Sequence, residues 1–278
     1  MQEEILRWFD ENARDLPWRK SDAWGVMVSE FMLQQTPVIR VLPKWIEWME
    51  RWPTPADLAN AKQSDVITAW GRLGYPRRAM RLHESAKEIT SRFNGLVPRD
   101  VAELQSLPGV GEYTAAAIAA FAYGEPALVL DVNIRRLFAR AVTGVESPKA
   151  SLSHYERDMA RELIPGEGAK WAAATMELGA LVCTARSPKC DQCPIAKSCA
   201  WIAAGSPASE IVKRTQAWHG TDRQCRGKIV QALREEKFVK REDLSFASAD
   251  AEQIDKCLES LIADRLIEAT GNIYKLKD

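Results

Sequence analysis

The sequence predicts an all-α body followed by a small winged-helix-like domain. Three observations carry that expectation. Before residue 205, apolar residues recur at three- and four-residue spacing, and alternating runs are few. All ten tryptophans lie at or before Trp218, so the composition changes there. Charge changes as well: Lys213–Arg241 holds nine Lys and Arg against three Asp and Glu, while from Glu242 onward nine acids face four bases. The stretch AAGSPASE (203–210) precedes this change and reads as a linker.

The body's helices follow in order. QEEILRWFDENA is amphipathic. DAWGVMVSEFMLQQT runs until Pro37 stops it, and PVIRVLPKWIEWMERW runs until Pro53 does. SDVITAWGRLG and RRAMRLHESAKEITSRF come next, each with glycine at or near an end. DVAELQSL opens with an Asp-x-x-Glu capping pattern. TAAAIAAFAYG, NIRRLFARAVTG, SLSHYERDMARELI and GAKWAAATMELGALV complete a set of about ten. In the tail, Thr221 and Gln224 form a capping box for a helix through about Glu236. REDLSF and ADAEQIDKCLESLIAD read as two more helices, and LIEAT-GN-IYKLK as a hairpin with a Gly-Asn turn.

Bulk composition excludes several classes. Hydrophobic content of 46% and charged content of 27% are those of an ordinary globular protein. No apolar h-region follows Met1, and the longest apolar run, AAAIAAFAY (115–123), is too short for a bilayer span. A cytoplasmic protein is expected, in which clustered cysteines point to metal or redox chemistry. The net charge of zero does not by itself announce a nucleic-acid partner.

Four constellations carry chemistry. The first is Cys183-x6-Cys190-x2-Cys193-x5-Cys199, four of the six cysteines in 17 residues. A structural zinc site usually takes two CxxC-like knuckles. One CxxC with two longer arms suits a cubane, whose four irons each take one thiolate. Zinc stays the alternative, while Cys225 and Cys257 read as small buried hydrophobes. The second is LPGVGEYTAAAIAAFA, with Gly109 and Gly111 in the turn between two helices. Such a turn allows positive φ and exposes helix-start amides to a phosphate. It is either a DNA-backbone site or a plain αα-turn, and the following EYTAAA favours DNA.

The third constellation is SEFMLQQTPV, where Glu30 lies within an apolar helix. A desolvated carboxyl favours its proton-bearing form, as a general acid needs; a glutamate on the solvent edge is the alternative. Gln34 and Gln35 carry no signal alone. The fourth is VLDVNIRRLFAR. Asp131 directly before a helical run is a good N-cap, and equally a carboxylate held ionised by helix-start amides.

These pieces occur together and in one order. With RDLPWR (14–19), RLGYPRRAMRLH (72–83), LDVNIRR (130–136) and MELGALVCTARSPKCDQCPIAKSC (176–199), the chain resembles the helix–hairpin–helix DNA glycosylases of the endonuclease III superfamily. Within them it resembles the MutY-type adenine DNA glycosylases. The resemblance covers roughly residues 1–205. From HGTDRQCRGK onward the chain looks like the short tail of actinobacterial MutY proteins, a weaker match.

The resemblance implies a 4Fe–4S cluster on Cys183, Cys190, Cys193 and Cys199, largely structural, with Arg186, Lys189 and Lys197 placed to touch DNA. It implies a cluster lobe (1–21 with 130–205), a six-helix barrel lobe carrying the helix–hairpin–helix (22–129), and the winged-helix-like domain (215–278). The implied partner is duplex DNA containing an adenine mispair, from which a flipped-out adenine opposite 8-oxoguanine or guanine is excised. A monomer with no membrane contact, cytoplasmic and nucleoid-associated in a bacterium, is expected.

Glu30 matches the acid that protonates adenine N7, and Asp131 the carboxylate that stabilises the oxocarbenium-like sugar. Tyr113 replaces the Schiff-base lysine of endonuclease III, implying a monofunctional enzyme. Arg14, Trp18, Arg19 and Leu33 match adenine-pocket positions. Gln34 and Asn133 fall in the same matched motifs. Gln35 and Tyr75 match residues that wedge into DNA.

There are three departures. Ala173 stands where a Gln or Glu is usual. Asp-Val-Asn replaces Asp-Gly-Asn, which is expected to tighten the loop beside Asp131. About seventy residues after the linker are too few for a Nudix-like reader of 8-oxoguanine, for which the basic 213–241 segment is a candidate substitute. Ala173 keeps a thymine or uracil mismatch glycosylase in view. A DNA-binding module without activity and an electron-transfer iron–sulfur protein are rivals from other classes.

Overall fold

The computed structural model describes residues 1–166, 168–209 and 218–278. Glu210, the end of the expected linker, the first residues of the basic segment and the start of the expected C-terminal domain (215–217) lie outside the described residues. The helices are α1 (Gln2–Asn12), α2 (Ala23–Leu33), α3 (Val38–Arg51), α4 (Pro55–Ala59), α5 (Gln63–Trp70), α6 (Arg77–Arg92), α7 (Val101–Gln105), α8 (Glu112–Tyr123), α9 (Val132–Ala141), α10 (His154–Glu162), α11 (Gly168–Leu181), α12 (Ala200–Ala203), α13 (Asp222–Glu235) and α14 (Ala251–Ala263). Three short strands, β1 (Val239–Lys240), β2 (Ile267–Thr270) and β3 (Ile273–Leu276), follow α13 and α14. Among the described residues no helix is long and apolar enough to cross a membrane.

The chain divides into two compact units, Met1–Val26 with Arg99–Gln105 and Val110–Lys213, and Met27–Pro98 with Ser106–Gly109 and Arg214–Asp278. The sequence expectation groups 22–129 in one lobe; by compactness, α8 goes with the unit that holds α9 and α11.

In the first unit the core is alanine-rich. Seven consecutive residues of α8, Thr114 through Ala120, are buried, and Gly124 ends the helix in the left-handed conformation at φ 70°. Around that slender helix pack Ile5, Ile134, Leu137, Phe138, Trp171 and Leu178. Ser153 and Glu156 make a full capping box for α10. At Gly179 in α11, an added Cβ would stand 2.7 Å from the backbone oxygen of Asn133. A glycine there lets α11 come up against the start of α9.

The second unit is built on tryptophans. Trp48 meets Trp52 and Trp70 edge-on at 4.9 and 5.4 Å, inside the face of α3 and α5. The helix α4, missed in the sequence, is closed by a Thr54–Asp57 capping box with Pro55 at its first turn.

The C-terminal residues belong to the same unit. β2 and β3 form the expected hairpin, with Thr270 opposite Ile273 and Gly271 at φ 61°. β1 adds a third strand in the order β1-β3-β2. REDLSF is a 3-10 helix (Arg241–Phe246) rather than an α-helix. The expected Thr221–Gln224 box is half made. Thr221 accepts from the Gln224 amide, but the Gln224 side chain turns to the Gly220 N–H. Cys225 and Cys257 are each 1% exposed, as small buried hydrophobes. Arg234 of α13 donates to the Ile67 carbonyl at 3.0 Å, and burial brings its pKa down to about 10. Gln63 with Arg265, Ser64 with Asp278, and Arg77 with Asp264 add further ties to the helical part of the unit.

Candidate functional site

Asp131 caps α9. Its Oδ1 accepts the backbone N–H groups of Asn133 and Ile134 at 2.9 and 2.7 Å, and its Oδ2 accepts the Asn133 side-chain amide at 2.6 Å. Burial pushes the Asp131 carboxyl above its ordinary value, against these hydrogen bonds and Arg136, which pull it down. The expectation of a carboxylate held simply ionised therefore meets an opposing desolvation. Val132, where the expectation places a tighter loop, begins α9 with its side chain 70% exposed.

Arg136 and Arg140, one helical turn apart, lock α9 to the chain that leads into the cysteines. Arg136 donates to the carbonyls of Gly179 and Cys183 at 2.6 and 2.8 Å, and to Asn133 Oδ1 at 2.9 Å. Arg140 donates to the Thr184 carbonyl at 2.7 Å and to Cys183 Sγ at 3.5 Å, with its guanidinium 4.9 Å from the Trp201 ring. Sequence reasoning missed both; the only signal is two adjacent pairs of basic and apolar residues on a helix starting at a capping Asp.

The four cysteines surround a space instead of converging on a point. They line one cavity with Leu137, Arg140, Ile195 and Trp201. Among the described residues no three His, Cys, Asp or Glu side chains gather closely enough to hold a single metal ion. A lone zinc would need thiolates about 2.3 Å from one centre, so the arrangement fits a polynuclear cluster better. Burial pushes the Cys193 thiol up to about 11, and burial with the neighbouring thiols raises Cys190. Arg186, Lys189 and Lys197 stand exposed on this loop.

A third missed residue, Glu177 of α11, is 1% exposed. Arg14 grips it twice, Nε to Oε1 and Nη2 to Oε2, both at 2.8 Å, and donates its backbone N–H at 2.9 Å. Arg19 adds a bond at 3.0 Å. Burial raises the Glu177 carboxyl, but the hydrogen bonds and charges of Arg14 and Arg19 outweigh it, and the net shift is downward. The two expected pocket arginines are thus anchored side chains. Trp18 is 7% exposed. Tyr113, the second residue of α8, is partly buried against the core, and Ala173 is partly buried on α11.

In the second unit, Glu30 is 6% exposed in α2 between Ser29 and Phe31, both buried. Leu33 and Gln34 are half-buried where α2 ends. Gln35 and Tyr75 both hold left-handed backbone, φ 56° and 47°, in two adjacent turns. One side chain joins those turns. Arg78 donates to Phe31 and Met32 carbonyls at 3.1 and 3.3 Å, to the Gln34 carbonyl, to Thr36 Oγ1 at 3.1 Å, and to the Leu73 and Gly74 carbonyls at 3.1 Å each. Burial lowers its pKa to about 10. So bulky residues sit in a costly conformation, held there by their surroundings.

The two glycines of the LPGVG turn differ. Gly109, at φ 80°, leaves no room: an added Cβ would lie 2.7 Å from Arg81 Cβ and 3.0 Å from Phe31 Cε1. Gly111 caps α8 with extended backbone, φ −90° and ψ 179°, and open space around it. Positive φ is needed at the first only.

Residues 28–160 match the HhH-GPD superfamily of base excision DNA repair proteins, and residues 183–199 the iron–sulfur binding domain of endonuclease III. The chain is 49% identical over 275 residues to an adenine DNA glycosylase of Mycolicibacterium smegmatis, covering 97% of this chain and 93% of that one. The chain belongs to the adenine DNA glycosylases of the HhH-GPD superfamily. Its cysteine loop is an iron–sulfur domain in which Cys183, Cys190, Cys193 and Cys199 supply the four thiolates for a 4Fe–4S cluster. A thymine/uracil-DNA glycosylase of Pyrobaculum aerophilum is 37% identical over 203 residues, 70% of this chain and 87% of its own. The structure of a thermostable thymine-DNA glycosylase superposes with a TM-score of 0.67 at 27% identity, over 73% of this chain and 94% of that one.

Proposed function

We propose that this glycosylase excises adenine mispaired with 8-oxoguanine or guanine, acting as a monomeric, monofunctional cytoplasmic enzyme on duplex DNA. The observation that carries the choice of base is the extent of the likeness. Identity to the mycobacterial adenine enzyme runs through 97% of the chain, tail included, whereas the thymine/uracil relative matches 70%.

In this reading the adenine is flipped out, because its glycosidic bond is unreachable in a stacked duplex. Glu30 hands a proton to the leaving base, and Asp131 faces the positive charge that develops on the sugar. Desolvation of Asp131 serves that task, since a carboxylate buried away from water gains most when a cation forms beside it. Tyr113 offers no amine for an imine, so strand cleavage does not accompany base release. Arg14, Trp18 and Arg19 in the first unit, and Leu33 and Gln34 in the second, are each assigned to contacts with the adenine. Gln35 and Tyr75 enter the DNA at the lesion. Gly109, Gly111 and Asn133 support backbone contacts. The cluster orders the loop that presents Arg186, Lys189 and Lys197.

Single-turnover base release tests this reading. The duplexes carry A opposite 8-oxoguanine, A opposite G, and T or U opposite G, with Glu30→Gln in parallel. Adenine release lost in the variant is expected. Thymine or uracil release in its place would reassign the enzyme to the mismatch glycosylases and point to Ala173.

A further inference from the structure

Tyr75 does not stand alone. Its ring lies in a row of alternating aromatic and guanidinium groups, all within the second unit. The row starts at Trp70, fully buried, with Arg78 5.4 Å from its ring. Arg78 is also 5.5 Å from the Tyr75 ring. On Tyr75 sits a second guanidinium, that of Arg223, at 4.5 Å. Arg223 in turn is 5.2 Å from the ring of Trp218. Exposure rises along the row, from 0% at Trp70 to 41% at Tyr75 and 48% at Trp218.

The outer half of this row comes from the C-terminal domain. Arg223 is an exposed residue in the first turn of α13. The helix that carries it is fixed, because Arg234 further along α13 is tied to the Ile67 carbonyl, and the end of the chain to Ser64. The partners of Arg223 among the described residues are two rings and no carboxylate. Two half-exposed rings against a guanidinium that meets no carboxylate among the described residues leave a positive charge beside exposed aromatic surface. That chemistry suits a nucleic acid, whose phosphates take the charge and whose bases take the rings.

We propose that Arg223 and Trp218 extend onto the C-terminal domain the DNA-contact surface that Tyr75 begins, with the Arg223 guanidinium meeting the DNA backbone beside the Tyr75 ring. The inference rests on the reading of Tyr75 as a DNA contact. It gives the short tail a task that its sequence does not announce, since Arg223 is one cation among nine in its segment.

The test measures binding of the full-length holoenzyme to a duplex with a tetrahydrofuran abasic site opposite 8-oxoguanine, across a salt series. Arg223→Ala is expected to weaken binding about tenfold at moderate salt, and to lower the slope of log K against log salt by about one. Arg223→Lys keeps the charge and is expected to keep the slope. The loss in Arg223→Ala combined with Tyr75→Ala is expected to be smaller than the product of the two single losses, because the groups act as one stack. Since Arg223 is exposed, the thermal midpoint of the single variant should match wild type. Wild-type affinity and slope in Arg223→Ala, or full additivity with Tyr75→Ala, would overturn the proposal. A wild-type protein that releases no adenine and does not prefer the abasic duplex would instead overturn the proposed function.

Discussion

Each unit buries arginine around its candidate residues, but the two solve the charge problem differently. In the first, Arg14 and Arg19 converge on Glu177, a buried carboxylate, and the group carries its own counter-charge. In the second, Arg78 is surrounded by five carbonyls, a hydroxyl and two ring faces, and its pKa falls to about 10. A paired cluster is strong against mutation of its surroundings and weak against loss of one partner. A carbonyl-bound arginine trades that for reach, since five donors in a planar fork can stitch two loops at once. The comparison predicts that Glu177 is chiefly a stability residue and Arg78 chiefly a positioning residue.

Glu177→Ala should give the largest effect. It strands two partly buried guanidinium groups and a backbone N–H, at a cost of about 3 kcal/mol. Denaturant unfolding of the holoenzyme checks this. The pH dependence sharpens it. The folded Glu177 carboxyl lies below its ordinary 4.5, so its stabilisation is complete above that value and drains away as pH falls through the lower folded value. Wild type should lose stability below about pH 4.5, and Glu177→Gln should show a flatter profile over the same range.

Arg78→Ala comes next. It leaves several buried carbonyls unsatisfied, costing about 1–3 kcal/mol. Its second effect separates it from Glu177: the left-handed turns at Gln35 and Tyr75 lose their common tie. The rate of adenine release should fall by about tenfold or more in protein that is still folded, as misplacement of contact groups commonly does. Arg78→Lys should not restore it, because an ammonium has no fork. If Arg78→Ala lowers stability but leaves the rate intact, the contrast between the units fails.

How much of this was legible depends on the length scale of the interaction. Helices were legible because their apolar spacing is local. So were the hairpin at Gly271–Asn272 and the cap at Asp131, each set by a few adjacent residues. The short α4 and the two-residue β1 were not, since neither is long enough to show a period. Cys183, Cys190, Cys193 and Cys199 were legible because ligand spacing is written in sequence. Glu177 and Arg136 were not: their partners lie 163 and 43–47 residues away, and only the fold brings them together. Arg78 looked like one base among several in RLGYPRRAMRLH. What distinguishes it from Arg77 and Arg81 is burial, which a composition cannot display.

The two turn glycines break the comparison in another way, and Gly111 gives the smallest effect on folding. Gly109→Ala forces a Cβ to within 2.7 Å of Arg81 Cβ at a φ of 80° that alanine resists, and should cost about 1–3 kcal/mol. Gly111→Ala meets no neighbour and keeps an extended φ, so folding should lose under about 1 kcal/mol, the scale of an N-cap change. A methyl at Gly111 nonetheless stands where the first amides of α8 are open to a phosphate. The expected outcome is a protein of near wild-type stability with weakened binding to undamaged and damaged duplex alike, read by anisotropy. Equal binding would mean that the open start of α8 is only a turn, and that DNA is held elsewhere.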